Sequence, residues 1–597
     1  MRKLEKQKAN KNIIYLGFIF SVVIVYIFSK NIMNSYSIGI INDEFGYWGI
    51  AASWANKDWS GLLASTPYYS YGYSMIITGL YYIFNDPQII YRIALCLNVA
   101  MILLSFLLAY QCGRKVFPDI SKVLMLIISF AITVYSNNIV QAKIAWTETI
   151  LYLLYWLLFF VVLKILEKPR MSYIAIYALL NVYTYCVHQR ALGVLLSSVL
   201  LIIILVICKK LSVKHLVIFA GILAVVFYLG TIMKSNIVAE LFTSKELVAM
   251  NDYSGQVSKI GEALTSLSGL RYLAESILGK LFYLGAATFL IGFLGLGMLI
   301  KQSLIGLVQM VKERFRQIDD STAIAVYLLM SFGATFMISA ISMYLPQGRL
   351  DLLIYGRYME FAVGPLLMYG FGMLLSGKIQ RRQIYGSLSV LVILSVLVGA
   401  VYSSLGIDSF NALCITGLSY FFNNINQVKA VPFFIVCIVG IVSVLFMFYI
   451  EKTTKRETNI YKKMAVIGIG IVWIFLSGFV GIEGVQKGID ENVVAVTEKL
   501  ERLEVDYHIC VLQNDDNADL YAKYLQYNLP DKCIIEIQEK DLAVEKEKNV
   551  IYLAYNDQTT AFRVPDGFVV LTKNKKLVTF TKKENVDMIQ EWRLLEN

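Results

Sequence analysis

The chain has 597 residues, of which 57% are hydrophobic and 16% charged, with a formal net charge of +11. Soluble globular chains carry about 25% charged residues, so this composition excludes one and indicates a membrane protein. The apolar runs are continuous and not alternating, which excludes a transmembrane β-barrel; the basic residues cluster between runs, which points to anionic lipid head groups and away from nucleic acid.

The chain opens with basic residues from Arg2 to Lys11, followed by an apolar run from Ile13 to Phe28 that stops at Lys30. No small-residue cleavage site follows, so this reads as an uncleaved signal anchor with its basic side in the cytoplasm. Further stretches near the roughly 20 residues that cross a bilayer complete the set: about 13–33, 88–110, 123–139, 148–166, 172–187, 191–208, 215–233, 277–300, 322–345, 358–376, 384–403, 431–450 and 464–482. The expectation is an α-helical polytopic membrane protein of about 13 transmembrane helices. With the N-terminus inside, the cytoplasmic loops are 111–122, 164–171, 209–214, 301–321, 377–383 and 451–463, and every one is basic, from Arg114 and Lys115 to Lys452 and Arg456. The apolar, aromatic stretch from Gly72 to Phe84 is too short to span, and counting it would invert those loops; it reads as an interfacial or re-entrant helix.

An odd number of spans puts the C-terminus outside. Residues 1–482 form the transmembrane domain, with a long external loop at 34–87, and residues 483–597 an extracytoplasmic domain. In the latter, β-rich runs at 507–512, 533–537, 550–554 and 568–571 surround a helical stretch from Ala518 to Tyr527, which predicts a small α/β fold. Of the eight cysteines, Cys96, Cys186, Cys208 and Cys437 lie in apolar runs and read as packing residues. Cys510 and Cys533 lie in the polar C-terminal region, where a disulfide is open to them, although spacing alone fixes no connectivity.

The residues that carry chemistry sit at the external ends. Asp43 and Glu44 lie in Ile41-Asn42-Asp43-Glu44-Phe45-Gly46-Tyr47-Trp48, just past the first span. A carboxylate at the membrane face can take a proton from an attacking hydroxyl or amide; the same pair would also cap a short helix from Phe45 to Trp54. Arg92 begins the second span and Glu148 the fourth; His188 and Arg190 occupy a tight outer turn; Arg349, Asp351, Arg357 and Tyr358 surround the start of the tenth. Ionisable groups at such depth face a partner or a cavity. Arginine suits phosphate, whether that of a substrate or of the surrounding lipid. With three histidines in the chain a histidine metal site is disfavoured, whereas a divalent cation such as Mg or Mn on Asp43, Glu44 and Glu148 stays open. There is no P-loop, no G-x-G-x-x-G after a strand and no G-x-S-x-G elbow.

An Asp-Glu pair after the first span, an aromatic loop, a short apolar stretch and an arginine in the next span together resemble the GT-C superfamily of membrane glycosyltransferases. Protein O-mannosyltransferases, the lipid A aminoarabinose transferase and the oligosaccharyltransferase catalytic subunit belong to it. Trp146-Thr147-Glu148 resembles the acidic position of the second external loop, Gln189-Arg190-Ala191-Leu192-Gly193 an Arg-x-x-Gly element, and Tyr355-Gly356-Arg357-Tyr358 with Pro365 a Gly-Arg-Tyr element. The usual proline-rich stretch is here Thr66-Pro67-Tyr68-Tyr69-Ser70-Tyr71-Gly72-Tyr73, and Met359-Glu360-Phe361 stands where proline is frequent, so no single subfamily is indicated. The resemblance implies a polyprenyl-phosphate sugar donor, transfer on the outer face of the membrane, and a cell-surface glycan, lipid or protein as acceptor; the Ile-, Lys- and Tyr-rich style of the sequence points to a bacterial plasma membrane. It implies Asp43 as general base, Glu44 as its assistant, and Arg92, Arg190 and Arg357 as holders of the lipid phosphate, with Glu148, His188 and Tyr358 completing the site.

Two rival readings are a polymerase or ligase of lipid-linked glycans, and a flippase or transporter for a lipid-linked sugar. The first would carry its key residues in a large late loop; the second would show mid-span charges and broken helices in matched halves. A scaffold with an external binding domain would leave Asp43 and Glu44 dispensable.

Overall fold

A computed structural model describes residues 2–39, 41–251, 253–343, 348–406, 409–422, 431–454, 460–480, 491–543, 549–556 and 561–595. Among the described residues, nine helices are long and apolar enough to cross a membrane: Lys11–Asn34, Pro87–Val116, Thr147–Glu167, Gln189–Ile207, Val213–Leu241, Ile291–Lys312, Asp320–Ser342, Arg381–Ser404 and Ile460–Val480. A tenth is broken, with Leu350–Glu360 and Val363–Leu375 meeting at 78°. The expected spans three, five and twelve carry the shorter apolar helices Lys122–Thr133, Met171–Val187 and Pro432–Phe446. Ser74–Ile83 is a separate helix of 10 residues, too short to span.

The eighth expected span differs from the structure. Residues 277–300 are not one helix, because helix Leu267–Ala287 stops at a turn where Phe289 and Leu290 adopt left-handed φ angles of 49° and 65°. Trp473 caps that stop, its indole donating to the Ala287 carbonyl at 3.3 Å. The span is instead Ile291–Lys312, which carries part of the expected loop 301–321 into the helix. An unbroken apolar run in the sequence hides such a turn.

Contacts at the helix ends group the expected loops by side. Lys115 pairs with Glu167 and Lys210 with Asp320, so loops expected on the cytoplasmic face meet one another. At the opposite helix ends, the segment around Trp59 meets the C-terminal region, the Trp59 indole donating to the Pro530 carbonyl at 3.1 Å.

The C-terminal region holds a five-stranded sheet in the order β2-β1-β3-β5-β4, where β1 is His508–Leu512, β2 Ile534–Ile537, β3 Val550–Tyr555, β4 Phe568–Lys573 and β5 Leu577–Lys582. The first three pair in parallel, and β5 pairs antiparallel with β3 and β4. Helix Asp516–Asn528 makes the crossover between β1 and β2. The expected boundary at 482 lies outside the described residues. Cys510 and Cys533 are both free thiols.

Candidate active site

Asp43 and Glu44 occupy the first turn of helix Ile41–Trp54, where the helix dipole favours negative charge. Successive helical side chains point about 100° apart, so the two acids diverge. Glu44 turns inward and is fully buried. Its Oε2 accepts from the Gly39 amide at 2.6 Å, and its Oε1 accepts from the Tyr91 hydroxyl at 2.8 Å and the Ala145 amide at 3.1 Å. Glu44 thus ties the segment before its own helix to helix Pro87–Val116 and to the loop before Glu148. Asp43 faces the other way, and its side chain keeps 20% of its surface exposed.

Glu148 arrives at the start of helix Thr147–Glu167 on a loop held from below. Asn98, a buried amide inside an otherwise apolar helix, donates to the carbonyls of Ala142 at 3.0 Å and Ile144 at 2.8 Å. Those two bonds fix the turn that aims Trp146 and Glu148 at the site. Arg190 reaches in from a single 3-10 turn between Met171–Val187 and Leu192–Ile207. Gly193 lets that turn sit tight, since a Cβ there would lie 2.9 Å from the Ala334 Cβ. Arg357 begins the short helix Arg357–Glu360 ahead of the bend, and Gly356 before it has the Tyr283 ring where a Cβ would stand.

These segments close into one charge cluster. Arg357 donates from Nη2 to Asp43 Oδ2 at 2.7 Å and from Nε to Glu148 Oε1 at 2.7 Å. Its guanidinium lies 3.8 Å from the centroid of the Trp146 ring. Arg190 donates from Nη2 to Glu148 Oε2 and stacks over Tyr358 at 4.7 Å and Phe361 at 5.6 Å. Two carboxylates and two guanidiniums balance, as burial of charge requires. Arg190 is 3% exposed, yet its Nε and Nη1 have no hydrogen-bond partner among the described residues. A buried guanidinium with two unengaged nitrogens can donate to a planar or tetrahedral oxyanion.

The remaining groups line this cluster. The buried His188 accepts from the Arg190 amide through Nδ1 at 3.2 Å and meets the edge of Tyr358 at 5.7 Å. Burial, then the charges of Arg190 and Arg357, hold its pKa well below the ordinary value, so the imidazole is neutral. Tyr69 hydrogen-bonds Asp43; burial and then the Asp43 charge push its phenol well above the usual range, so it remains a donor. Arg92 stands apart from the cluster: its Nε donates to the Ser35 carbonyl at 3.0 Å and its guanidinium covers the Tyr36 ring. A cavity of about 400 Å³ lies alongside, lined among others by Tyr68, Ser70, Tyr71, Tyr185, Gln189 and Lys234.

The open expectation of a divalent cation on Asp43, Glu44 and Glu148 does not fit this donor set. Glu44 spends its oxygens on amide and phenol donors, and Glu148 spends both on arginines. Among the described residues no three His, Cys, Asp or Glu side chains converge as a metal site requires.

The architecture is similar to that of solved structures. Over 94% of this chain and 97% of the other, it superposes on ArnT from Cupriavidus metallidurans bound to undecaprenyl phosphate, with a TM-score of 0.51 and 12% identity. The chain has the GT-C fold. Apo ArnT from the same organism gives a TM-score of 0.52 at 12% identity, covering 96% of this chain and 98% of that one. A looser likeness, with a TM-score of 0.42, links it to the oligosaccharyltransferase AglB of Archaeoglobus fulgidus, at 11% identity over 91% of this chain and 69% of that one. No family model matches the sequence, and no curated protein does.

Sequence reading brought Asp43, Glu148, Arg190 and Arg357 to one face, and the GT-C structure joins all four. It missed Tyr69, Tyr91 and Asn98. Asn98 did leave a signal, a lone amide in an apolar run, which is costly unless the amide is used.

Proposed function

We propose that this protein is a glycosyltransferase that moves a sugar from a polyprenyl-phosphate donor to an acceptor on the outer face of the plasma membrane. The observation that carries the reading is the Asp43–Arg357–Glu148–Arg190 cluster, which sets a partly open carboxylate beside a guanidinium with two unengaged nitrogens. The fold is shared with a protein crystallised with undecaprenyl phosphate.

Asp43 takes the proton from the acceptor hydroxyl or amide as that atom attacks the anomeric carbon. The bond between that carbon and the phosphate oxygen breaks, and the configuration inverts. Negative charge grows on the departing lipid phosphate, where Nε and Nη1 of Arg190 receive it. Donors already aimed at developing charge act without reorganising during the step. Arg357 fixes the Asp43 carboxylate towards the acceptor side. His188 keeps the Arg190 backbone in place, and Tyr358 gives its guanidinium a flat face. The cavity between Tyr68 and Lys234 suits the first isoprene units, whose apolar surface matches its aromatic walls. The acceptor is a cell-surface glycan, lipid or protein, and membrane lipids surround the chain.

The test is purified protein in lipid vesicles, supplied with synthetic undecaprenyl-phosphate pentoses and hexoses and a crude cell-envelope acceptor. Release of undecaprenyl phosphate together with a glycosylated acceptor of inverted configuration supports the reading. Donor movement across the bilayer with the sugar–phosphate bond intact would replace it with the flippase reading.

A further inference from the structure

Lys523 belongs to the C-terminal region, on helix Asp516–Asn528, yet its ammonium is buried beside the Asp43 helix. Its side chain is 2% exposed. Nζ donates to Asn42 Oδ1 at 2.8 Å and to Asp519 Oδ2 at 2.8 Å, and it lies 5.9 Å from the centroid of the Phe45 ring. Asn42 and Phe45 flank the acidic pair. A buried lysine is expensive unless its charge is answered, and here Asp519, one helical turn away, answers it. The bond to Asn42 is therefore additional to charge neutralisation, and it crosses between two parts of the chain far apart in sequence.

The same face of the C-terminal region grips the rest of helix Ile41–Trp54. Tyr527 sets its ring edge-on to Trp48 at 5.3 Å and to Trp59 at 6.2 Å, and its hydroxyl donates to the Pro87 carbonyl at 3.0 Å. Tyr91, the donor to Glu44, also packs against Tyr527, at 6.1 Å. Gly61 approaches the Ile534 carbonyl on strand β2 so closely that a Cβ would lie 2.5 Å from it. From the transmembrane side, the helix is held by Glu44 and Arg357. From the outside, Lys523 is the charged contact at the N-terminal turn that carries Asp43.

We infer that the C-terminal region forms the outer wall of the active site and that Lys523 is a positioning residue, holding Asn42 and through it the first turn of the Asp43 helix. This rests on the reading of Asp43 as the base. The C-terminal region thereby belongs to the transferase machinery itself, in addition to any part it plays in meeting the acceptor. A charged hydrogen bond at this point matters because a displacement of about 1 Å at a reacting group can cost on the order of 100-fold in rate.

Hydrogen exchange on the full chain in lipid nanodiscs tests the contact, comparing wild type with Lys523→Met at peptides covering 41–54 and, as reference, 147–167. The expected result is at least about tenfold faster exchange over 41–54 with no change over 147–167, the loss of one charged hydrogen bond. Unchanged exchange over 41–54 overturns the inference. If exchange rises in both regions, Asn42→Ala decides, since it leaves the C-terminal region untouched; it must loosen 41–54 alone, and failure to do so overturns the inference. In the transfer assay, Lys523→Met should lower kcat about 10- to 100-fold with donor KM unchanged. The double variant with Asn42→Ala should be no worse than the worse single one. Additive losses, or a change confined to KM, would contradict positioning through Asn42. If Asp43→Asn retains full transfer while Lys523→Met still loosens 41–54, the base assignment has failed and the contact stands.

Discussion

Arg357 holds Asp43 at 2.7 Å with one guanidinium nitrogen and Glu148 at 2.7 Å with another, so a late helix organises two early external segments. The geometry depends on the planar fork of arginine. A lysine offers a single point charge on a flexible stem and cannot reproduce both bonds. Arg357→Lys should therefore reduce transfer at least about 100-fold while the protein still folds. Arg357→Gln, which leaves Asp43 without its ion pair and Glu148 with Arg190 alone, should also destabilise by about 3–5 kcal/mol. Transfer rates and thermal unfolding in detergent check the pair together.

The two neighbouring acids should separate cleanly. Glu44 accepts three hydrogen bonds from three different segments and is sealed from solvent. Glu44→Gln turns one acceptor into a donor facing donors, and an unmet buried group costs about 1–3 kcal/mol. Unfolding temperature and activity should fall together in that variant. Asp43→Asn should lose activity with its unfolding temperature nearly unchanged. The reverse pattern would exchange their roles.

Arg190 should govern affinity for the lipid phosphate. Its two unengaged nitrogens, Nε and Nη1, would each gain a charge-assisted bond, and bonds of that kind are worth about 1.5–3 kcal/mol each. Arg190→Gln should weaken binding of undecaprenyl phosphate itself by at least about 100-fold, measured by intrinsic tryptophan fluorescence or scintillation proximity. Unchanged binding would remove Arg190 from the phosphate site.

His188 gives stability a defined pH dependence. Its imidazole is neutral in the folded protein because burial and two arginines depress its pKa below the usual 6.5. Below pH 6.5 the unfolded chain binds a proton that the folded chain does not, so stability falls as pH falls. Above that value the contribution is flat. The slope is about 0.7 kcal/mol per pH unit at pH 6.5 and approaches about 1.4 kcal/mol per pH unit one unit or more below it. Unfolding measured from pH 5 to 8 should show it in wild type and lose it in His188→Gln.

Most spans were legible because apolar runs of bilayer length announce themselves. The turn at Phe289 and Leu290 was not legible, because both residues are apolar and only tertiary packing imposes their conformation. The C-terminal strands could be read from β-rich runs, except β5, whose threonines and flanking lysines mask a strand buried almost end to end. Within the site, the residue types and their side of the membrane were legible, whereas the pairings were not. Asp43 and Glu44 look alike in sequence, and the rotation between adjacent helical positions alone sends one to the cluster and the other to three backbone and phenol donors. Arg92 looks like Arg190, yet its Nε is taken by the Ser35 carbonyl. Lys523 gave no hint, since a lysine four residues after an aspartate on a polar helix reads as a solvated ion pair.

Asp43 is proposed to take the acceptor proton during sugar transfer from a polyprenyl phosphate. The most direct test compares wild type and Asp43→Asn in reconstituted vesicles, measuring both transfer and undecaprenyl-phosphate binding. Removal of a general base should cost about 10²- to 10⁴-fold in rate while the lipid still binds as in wild type. Transfer by Asp43→Asn within about threefold of wild type, outside the range that general-base removal produces, would contradict the account.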